Sequence, residues 1–320
     1  MAAADPNISP AAPDRTRLAV TLIVCSMLML SIMDAFNKDM TDAYSLWQIC
    51  AARAIFSVPI LAIIVAMDRG AHLRQILRPW VLARTALIVG AWIAYYAAIP
   101  LMNLSVAATA LYTIPLFIAG FACVVAGEPV GWRRWSGIAI GFAGVIVILR
   151  PGGDDFSLWV LLPVLAALLY AVAAVITRYR LPTESPFVLG LSLNAGLLVT
   201  GIIGSVGVLL LVPETANEFM LRRWHPLDLN GWAIMATFGV VMVAITACTA
   251  KAYQSGPSAI VGTFDYSYLA FVSLWGVLFF AERFDGPIAI GILLIVAAGL
   301  MVLWQPRRRV LDAPVPASER

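Results

Sequence analysis

The chain has 320 residues, of which 62% are apolar and only 12% are Asp, Glu, Lys or Arg, with a net charge of +3 and a mean hydropathy of +0.91. The charged share is about half of what a soluble domain carries, so a water-soluble globular fold is excluded and an all-α polytopic membrane protein is indicated. The small basic excess follows loop position, which leaves nucleic-acid binding without support.

Residues 1–15 are polar and rich in Ala and Pro, lacking the charged start, short apolar core and cleavage site of a signal peptide, and read as a disordered tail. Ten apolar runs follow, each near the roughly 20 residues that cross a bilayer core as a helix. They are placed at 18–38, 45–66, 80–98, 104–125, 134–150, 158–177, 187–211, 231–252, 257–280 and 287–304. The runs are continuously apolar, not alternating, which favours helices over a barrel, and a spanning helix satisfies its own backbone. Residues 307–320 form a basic tail without a lipidation box.

Lys and Arg of short loops stay on the cytoplasmic side. With the N-terminus inside, fifteen basic residues fall in or beside the cytoplasm, from Arg15 and Arg17 to Arg307, Arg308, Arg309 and Arg320. Five, Lys38, Arg150, Arg222, Arg223 and Arg283, fall on the other side, and Arg53 lies within the second span. Both termini are therefore expected in the cytoplasm. Cys25, Cys50, Cys123 and Cys248 are isolated from one another inside spans and read as buried small apolar residues. The two histidines, His72 and His225, lie in loops, so neither a metal site nor a cofactor is expected.

The two halves repeat. The offset that aligns Glu128 with Glu282 also aligns Tyr112 with Tyr266, Phe117 with Phe271, Gly137 with Gly291 and Ala143 with Ala297. Five spans per half is an odd number, so the second half enters the membrane from the opposite side. Inverted repeats of this kind place a substrate site near the midplane between the halves.

Ten spans in two halves, a Glu closing the fourth and ninth spans in AGEPVGWRRW and FAERFDGPIA, and a basic residue closing the first span of each half resemble the drug/metabolite transporter superfamily, EamA type. The resemblance covers nearly all of the chain outside its tails. It implies repeats over 16–151 and 157–306, a central cavity ringed by spans 1–4 and 6–9, and spans 5 and 10 at the periphery. The second half departs from the motif at Ala281, where Gly is usual, and has Leu269 where the first half has Pro115. A proline frees a backbone carbonyl and permits a kink, so Pro115 marks the fourth span as a gate candidate. Within the superfamily, an Asp and a Lys near the end of the first span resemble the riboflavin and S-adenosylmethionine carriers.

An ionisable group inside a span costs about 2.5–3.5 kcal/mol near the centre and faces protein or a wet cavity. Asp34 and Arg53 lie at similar depth and either pair as a structural salt bridge or line the cavity. Ser31, Asp34 and Lys38 share one helical face; Lys38 is also placed to anchor at the interface. Asp265 stands alone in the ninth span, with Tyr268 on its face and Lys251 across the bundle as either partner or anchor. Trp92, Tyr95 and Tyr96 form a stripe on the third span, and Tyr112, Tyr253, Tyr266 and Tyr268 lie on spans that the resemblance places around the cavity; such rings either stack on a flat or cationic substrate or simply pack. Asn194 is a substrate ligand or interhelical glue. Gly137 and Gly141 form a GxxxG that points to close packing or to a homodimer through helices 5 and 10. The loop 213–230, carrying Phe219, Leu221 and Trp224, is expected on the outer surface, where it would cover the cavity mouth.

These features lead to a secondary transporter in a bacterial inner membrane that moves a small polar or amphipathic metabolite, such as an amino acid, a vitamin like riboflavin or a nucleoside-like compound, by alternating access. No GxxxxGK[ST] loop is present, so direct ATP drive is not expected. The competing class is an intramembrane enzyme such as a lipid or prenyl transferase; the chain has no DDxxD, no HxxxH and only loop histidines to supply it.

Overall fold

The computed structural model describes residues 16–68, 70–114, 117, 121, 132–149, 158–181, 183–214, 216, 218–255, 264, 267–281 and 286–303. Among them the α-helices are α1 (Thr16–Met40), α2 (Leu46–Met67), α3 (Pro79–Ala98), α4 (Leu104–Leu111), α5 (Trp132–Leu149), α6 (Leu161–Arg180), α7 (Pro186–Leu211), α8 (Leu229–Ser255), α9 (Ser267–Phe280) and α10 (Gly286–Leu303). Six stretches of described helix are long and apolar enough to cross a membrane: Arg17–Met40, Leu46–Met67, Pro79–Leu101, Leu158–Thr177, Pro186–Leu211 and Leu229–Thr249. Residues Pro115, Asp265, Tyr266, Cys123, Glu128 and Glu282, singled out above, lie outside the described residues, as does the side chain of Tyr253.

Local chemistry sets the helix ends. Ser45 caps α2, its hydroxyl accepting from the Gln48 backbone N–H at 3.3 Å. Pro79 and Pro186 open α3 and α7 at the first turn, where the absent N–H has no intrahelical role. Pro59 lies inside α2 and removes one backbone bond there. Beyond α9, Ala281 has φ 49°. That left-handed conformation is the one glycine adopts without cost after a helix, which explains physically why glycine is usual at this motif position.

The packing obeys a two-fold exchange. α3 packs on α6 and α1 on α8; α2 packs on α8 and α7 on α3; α1 packs on α9 and α6 on α4. α2 with α7, α4 with α9 and α5 with α10 are pairs that the exchange maps onto themselves. Replacing every helix of the first five by its counterpart in the second five leaves these pairs unchanged. The repeated sequence has therefore folded into two similar halves that meet face to face. Gly137, Gly141 and Gly144 are buried on α5, whose packing partner within the chain is α10, so a close intrachain contact already accounts for the small-residue stripe.

Outward faces are apolar, as on α7 with Ile203, Leu210 and Leu211, while the interior mixes Ala and larger apolar residues such as Ile23, Leu61 and Met235 with buried polar ones such as Ser57 and Gln48. Two glycines permit close approach of another helix's backbone. A Cβ on Gly201 would stand 2.7 Å from the Ala51 nitrogen and the Trp47 carbonyl, and one on Gly239 would stand 2.7 Å from the Arg53 carbonyl. Backbone atoms cannot swing aside, so Gly201→Ala and Gly239→Ala each cost about 1–3 kcal/mol through overpacking. Both are expected to lower the thermal unfolding midpoint of the purified protein, whereas Gly207→Ala, with nothing within 4 Å of its new methyl, does not. Equal midpoints in all three variants would contradict this packing.

Candidate functional site

The polar face of α1 lies along α9. Trp275 Nε1 donates to Ser31 Oγ at 3.0 Å, the Tyr268 hydroxyl donates to Asp34 Oδ2 at 2.6 Å, and the Lys38 ammonium sits 4.7 Å from the centre of the Phe280 ring. The shared face of Ser31, Asp34 and Lys38 is thus matched residue by residue on the ninth span. Lys38 also donates to the Met102 carbonyl at 3.2 Å, tying α1 to the segment between α3 and α4.

Arg53 enters from α2. It is 1% exposed, and its guanidinium lies 5.0 Å from the Trp92 ring and 5.2 Å from the Tyr96 ring, both on α3. Its Nη1 donates to the Tyr96 hydroxyl at 3.0 Å, and Asn37 Nδ2 reaches the same hydroxyl at 3.5 Å. The one-turn spacing of Trp92 and Tyr96 sets their rings edge to face at 5.3 Å, a platform for a planar cation.

Asp34, 3% exposed, and Arg53 act on one another electrostatically but form no direct ion pair; Tyr96 occupies the ground between α2 and the α1 residue Asn37. The salt bridge that equal depth allows is replaced by hydroxyl contacts. Among the described residues the ion pairs are Arg78 with Glu184 and Arg223 with Glu214, all four outside the helix cores.

Tyr268 gathers the remaining rings. Its hydroxyl meets that of Tyr95 at 3.0 Å, and its ring stacks on Tyr112 at 5.1 Å and 17°. Trp92, Tyr95 and Tyr96 of the stripe on the third span are thus gathered around the two ionisable side chains, Trp92 and Tyr96 beside Arg53 and Tyr95 beside Tyr268. Residues from both halves build it, since Tyr268 belongs to the second and the rest to the first.

The cluster keeps spare hydrogen-bonding capacity. Asp34 Oδ1, Asn37 Oδ1 and Arg53 Nε and Nη2 are buried with no partner in the protein. Leaving a buried polar group unpaired costs about 1–3 kcal/mol each, so four of them together are a large cost for packing alone. Two free guanidinium donors suit an oxygen acceptor, and two free carbonyl-type oxygens suit a donor. A narrow pocket reaches this cluster, lined by Asn37, Thr41, Leu46, Ile49, Tyr96, Ile99 and Phe219.

Other residues have local tasks. Asn194 accepts from Ser57 at 2.8 Å and donates to the Gly190 carbonyl at 3.0 Å, so it joins α7 to α2. Lys251 is exposed near the end of α8. Cys50 is buried, but Cys25 is exposed and Cys248 partly so, because their helix faces point away from the core; this corrects the buried reading for those two. Phe219 is half-buried and lines the pocket instead of lying on the surface, while Leu221 and Trp224 of the same loop are exposed. Asn37, Ser57, Pro59 and Trp275 escaped the sequence reading. Asn37 had a signal, its place one turn after Asp34; the others became legible only through their partners on distant helices.

Tyr268 and Asp34 should be energetically coupled. In a double-mutant cycle of Tyr268→Phe and Asp34→Asn, read as unfolding free energy in detergent, a coupling of about 1–3 kcal/mol is expected, as for a hydrogen bond to a charged group. Additivity within about 0.5 kcal/mol would show that the contact does not hold the helices together.

Comparison with known proteins adds identity to this geometry. A model of the EamA-like transporter family matches twice, over residues 17–150 and 157–304. The chain is 29% identical over 310 residues to a riboflavin transporter of Rhizobium johnstonii, spanning 93% of this chain and 94% of that one. It is 28% identical over 200 residues to a riboflavin transporter of Vibrio cholerae, 62% of each chain, and 22% identical over 292 residues to an S-adenosylmethionine uptake transporter of Rickettsia bellii, 91% and 95% of the two chains. A crystal structure with 22% identity superposes with a TM-score of 0.60, covering 89% of this chain and 97% of its own, and shares the fold. The bacterial relatives and the apolar helices indicate a multi-pass protein of the inner membrane. With both halves of the chain matched, this protein belongs to the EamA-like transporter family of the drug/metabolite transporter superfamily.

Proposed function

We propose that the protein is a secondary transporter that carries a small polar or amphipathic metabolite by alternating access, through ten crossings arranged as two inverted halves with both termini in the cytoplasm. In this reading the repeats run over 16–151 and 157–306, and the outward faces of α5 and α10, with Phe142, Ile146, Ile290 and Leu293 exposed, supply the surface for a homodimer. The observation that carries the proposal is the buried carboxyl and guanidinium of Asp34 and Arg53, each held by tyrosines and each retaining unused hydrogen-bonding atoms. A structural ion pair would close on itself; this pair leaves valences for a solute.

Each site residue then has a role. Arg53 Nε and Nη2 take an oxygen acceptor of the solute, and Asp34 takes a donor or a coupling proton. Trp92, Tyr95, Tyr96, Tyr112 and Tyr268 provide flat surfaces for a ring. Lys38 and Asn194 hold the helices around the site, Asp265 is the second half's contribution to coupling, and Lys251 is its partner across the bundle or an anchor at the cytoplasmic end. Pro115, with Pro59 in α2, supplies the helix irregularity that a moving bundle needs. The names of the similar proteins make riboflavin and S-adenosylmethionine the first solutes to test, both of which join a planar heterocycle to polar groups.

The test is counterflow into liposomes holding the purified protein and preloaded with unlabelled solute. Labelled riboflavin or S-adenosylmethionine is expected to accumulate, and Arg53→Ala is expected to lower the initial rate by roughly 10–100-fold, the loss of one hydrogen bond to a charged group. Conversion of the solute to a product without flux would overturn the transporter reading, and unchanged flux in Arg53→Ala would overturn the site.

A further inference from the structure

The segment between α7 and α8 belongs to the second half, yet it is hydrogen-bonded to the first at the α1–α2 turn. Leu46 N–H donates to the Phe219 carbonyl at 3.2 Å, and Trp47 Nε1 donates to the Met220 carbonyl at 2.8 Å. Gln48 makes two bonds with the His225 backbone, its Nε2 donating to the carbonyl at 2.5 Å and its Oε1 accepting from the N–H at 3.0 Å. Arg222 Nη1 reaches over the α1–α2 turn to the Thr41 carbonyl at 2.8 Å. Five hydrogen bonds thus hold the backbone from 219 to 225 against the turn and the first residues of α2.

This strap positions one ring. Phe219 packs against two separate apolar clusters, one containing Tyr96 and Ile99 and the other containing Met40 and Ile49. It also lines the pocket together with Asn37, whose oxygen is unpartnered, and Tyr96, whose hydroxyl accepts from Arg53. The ring stands at the pocket beside Thr41 and Leu46, the residues that flank the α1–α2 turn.

We propose that Phe219 is the plug of a gate on that face of the membrane, and that the 219–225 strap is its latch: the solute enters or leaves on this side only when the latch bonds at Leu46, Trp47 and Gln48 release. The inference rests on the transporter reading and deepens it by naming the gate. Two features fit a latch. Its bonds go mostly from α2 side chains and backbone to strap carbonyls, so they can break together as α2 tilts. The bonds also cross between halves, which is where alternating access requires contacts to be remade.

The test uses the full-length purified protein in detergent, with Cys25, Cys50, Cys123 and Cys248 replaced, and a reporter thiol introduced as Ile49→Cys behind Phe219. The probe is a charged methanethiosulfonate. Phe219→Ala is expected to speed modification of the reporter at least tenfold, and Gln48→Ala, which removes both His225 bonds, to speed it severalfold; Phe219→Leu restores most of the protection. Asp42→Cys on the exposed turn should react at one rate in every background. If Ile49→Cys reacts as fast as Asp42→Cys with Phe219 in place, or if Phe219→Ala changes its rate less than twofold, the gate is overturned. Should the cysteine-free protein not be monodisperse, Thr41→Cys in the native background, counted against the unmodified chain, gives the same comparison. The readout needs no solute, so its failure leaves the counterflow result standing.

Discussion

Tyr96 and Tyr268 hold a buried guanidinium and a buried carboxyl in the middle of an apolar bundle without a direct ion pair between them. Two opposite groups at one depth would ordinarily collapse into a salt bridge, recovering in Coulomb energy part of what burial costs. Here the Tyr96 hydroxyl takes one donor of Arg53, the Tyr268 hydroxyl meets Asp34, and the remaining valences stay open. The surrounding rings make this tolerable, since Trp92 and Tyr96 place the negative faces of their π-systems against the cation.

The two-fold packing is nearly complete, but the chemistry inside it is one-sided. Asp34, Asn37, Arg53, Trp92, Tyr95 and Tyr96 all come from the first three helices, and the described part of the second half answers chiefly with Tyr268 and Trp275 on α9. A duplicated scaffold can diverge this way because each helix keeps its packing partners when its inward residues change. Close approaches at Gly201 and Gly239 fix α7 and α8 against α2 on either side of Arg53, so the rigid part of the repeat supports the specialised part.

The strap from 219 to 225 follows the same division. Polar side chains of α2 are spent on the backbone of a loop from the other half, and one large apolar ring of that loop, Phe219, lines the pocket. Leu221 and Trp224 beside it remain exposed, so the loop divides its apolar residues between an inward task and an outward one. A hydrophobic pattern alone cannot separate the two, because both kinds of residue read as a surface-lying segment.

The sequence by itself determined that the chain is helical and lies in a membrane, that its halves repeat, and that Asp34, Arg53 and the stripe Trp92, Tyr95, Tyr96 are out of place in lipid. Those properties follow from composition and from three- and four-residue spacing, which depend only on near neighbours along the chain. Tertiary structure alone decided that Asp34 meets Tyr268 instead of Arg53, that Asn194 spends itself on Ser57, and that Phe219 points inward. Each of these joins residues more than a hundred positions apart or turns on the angle at which two helices cross. Depth in the membrane could be counted along each helix, but the rotation of one helix against another is set by side chains from its neighbours, and no local pattern records it.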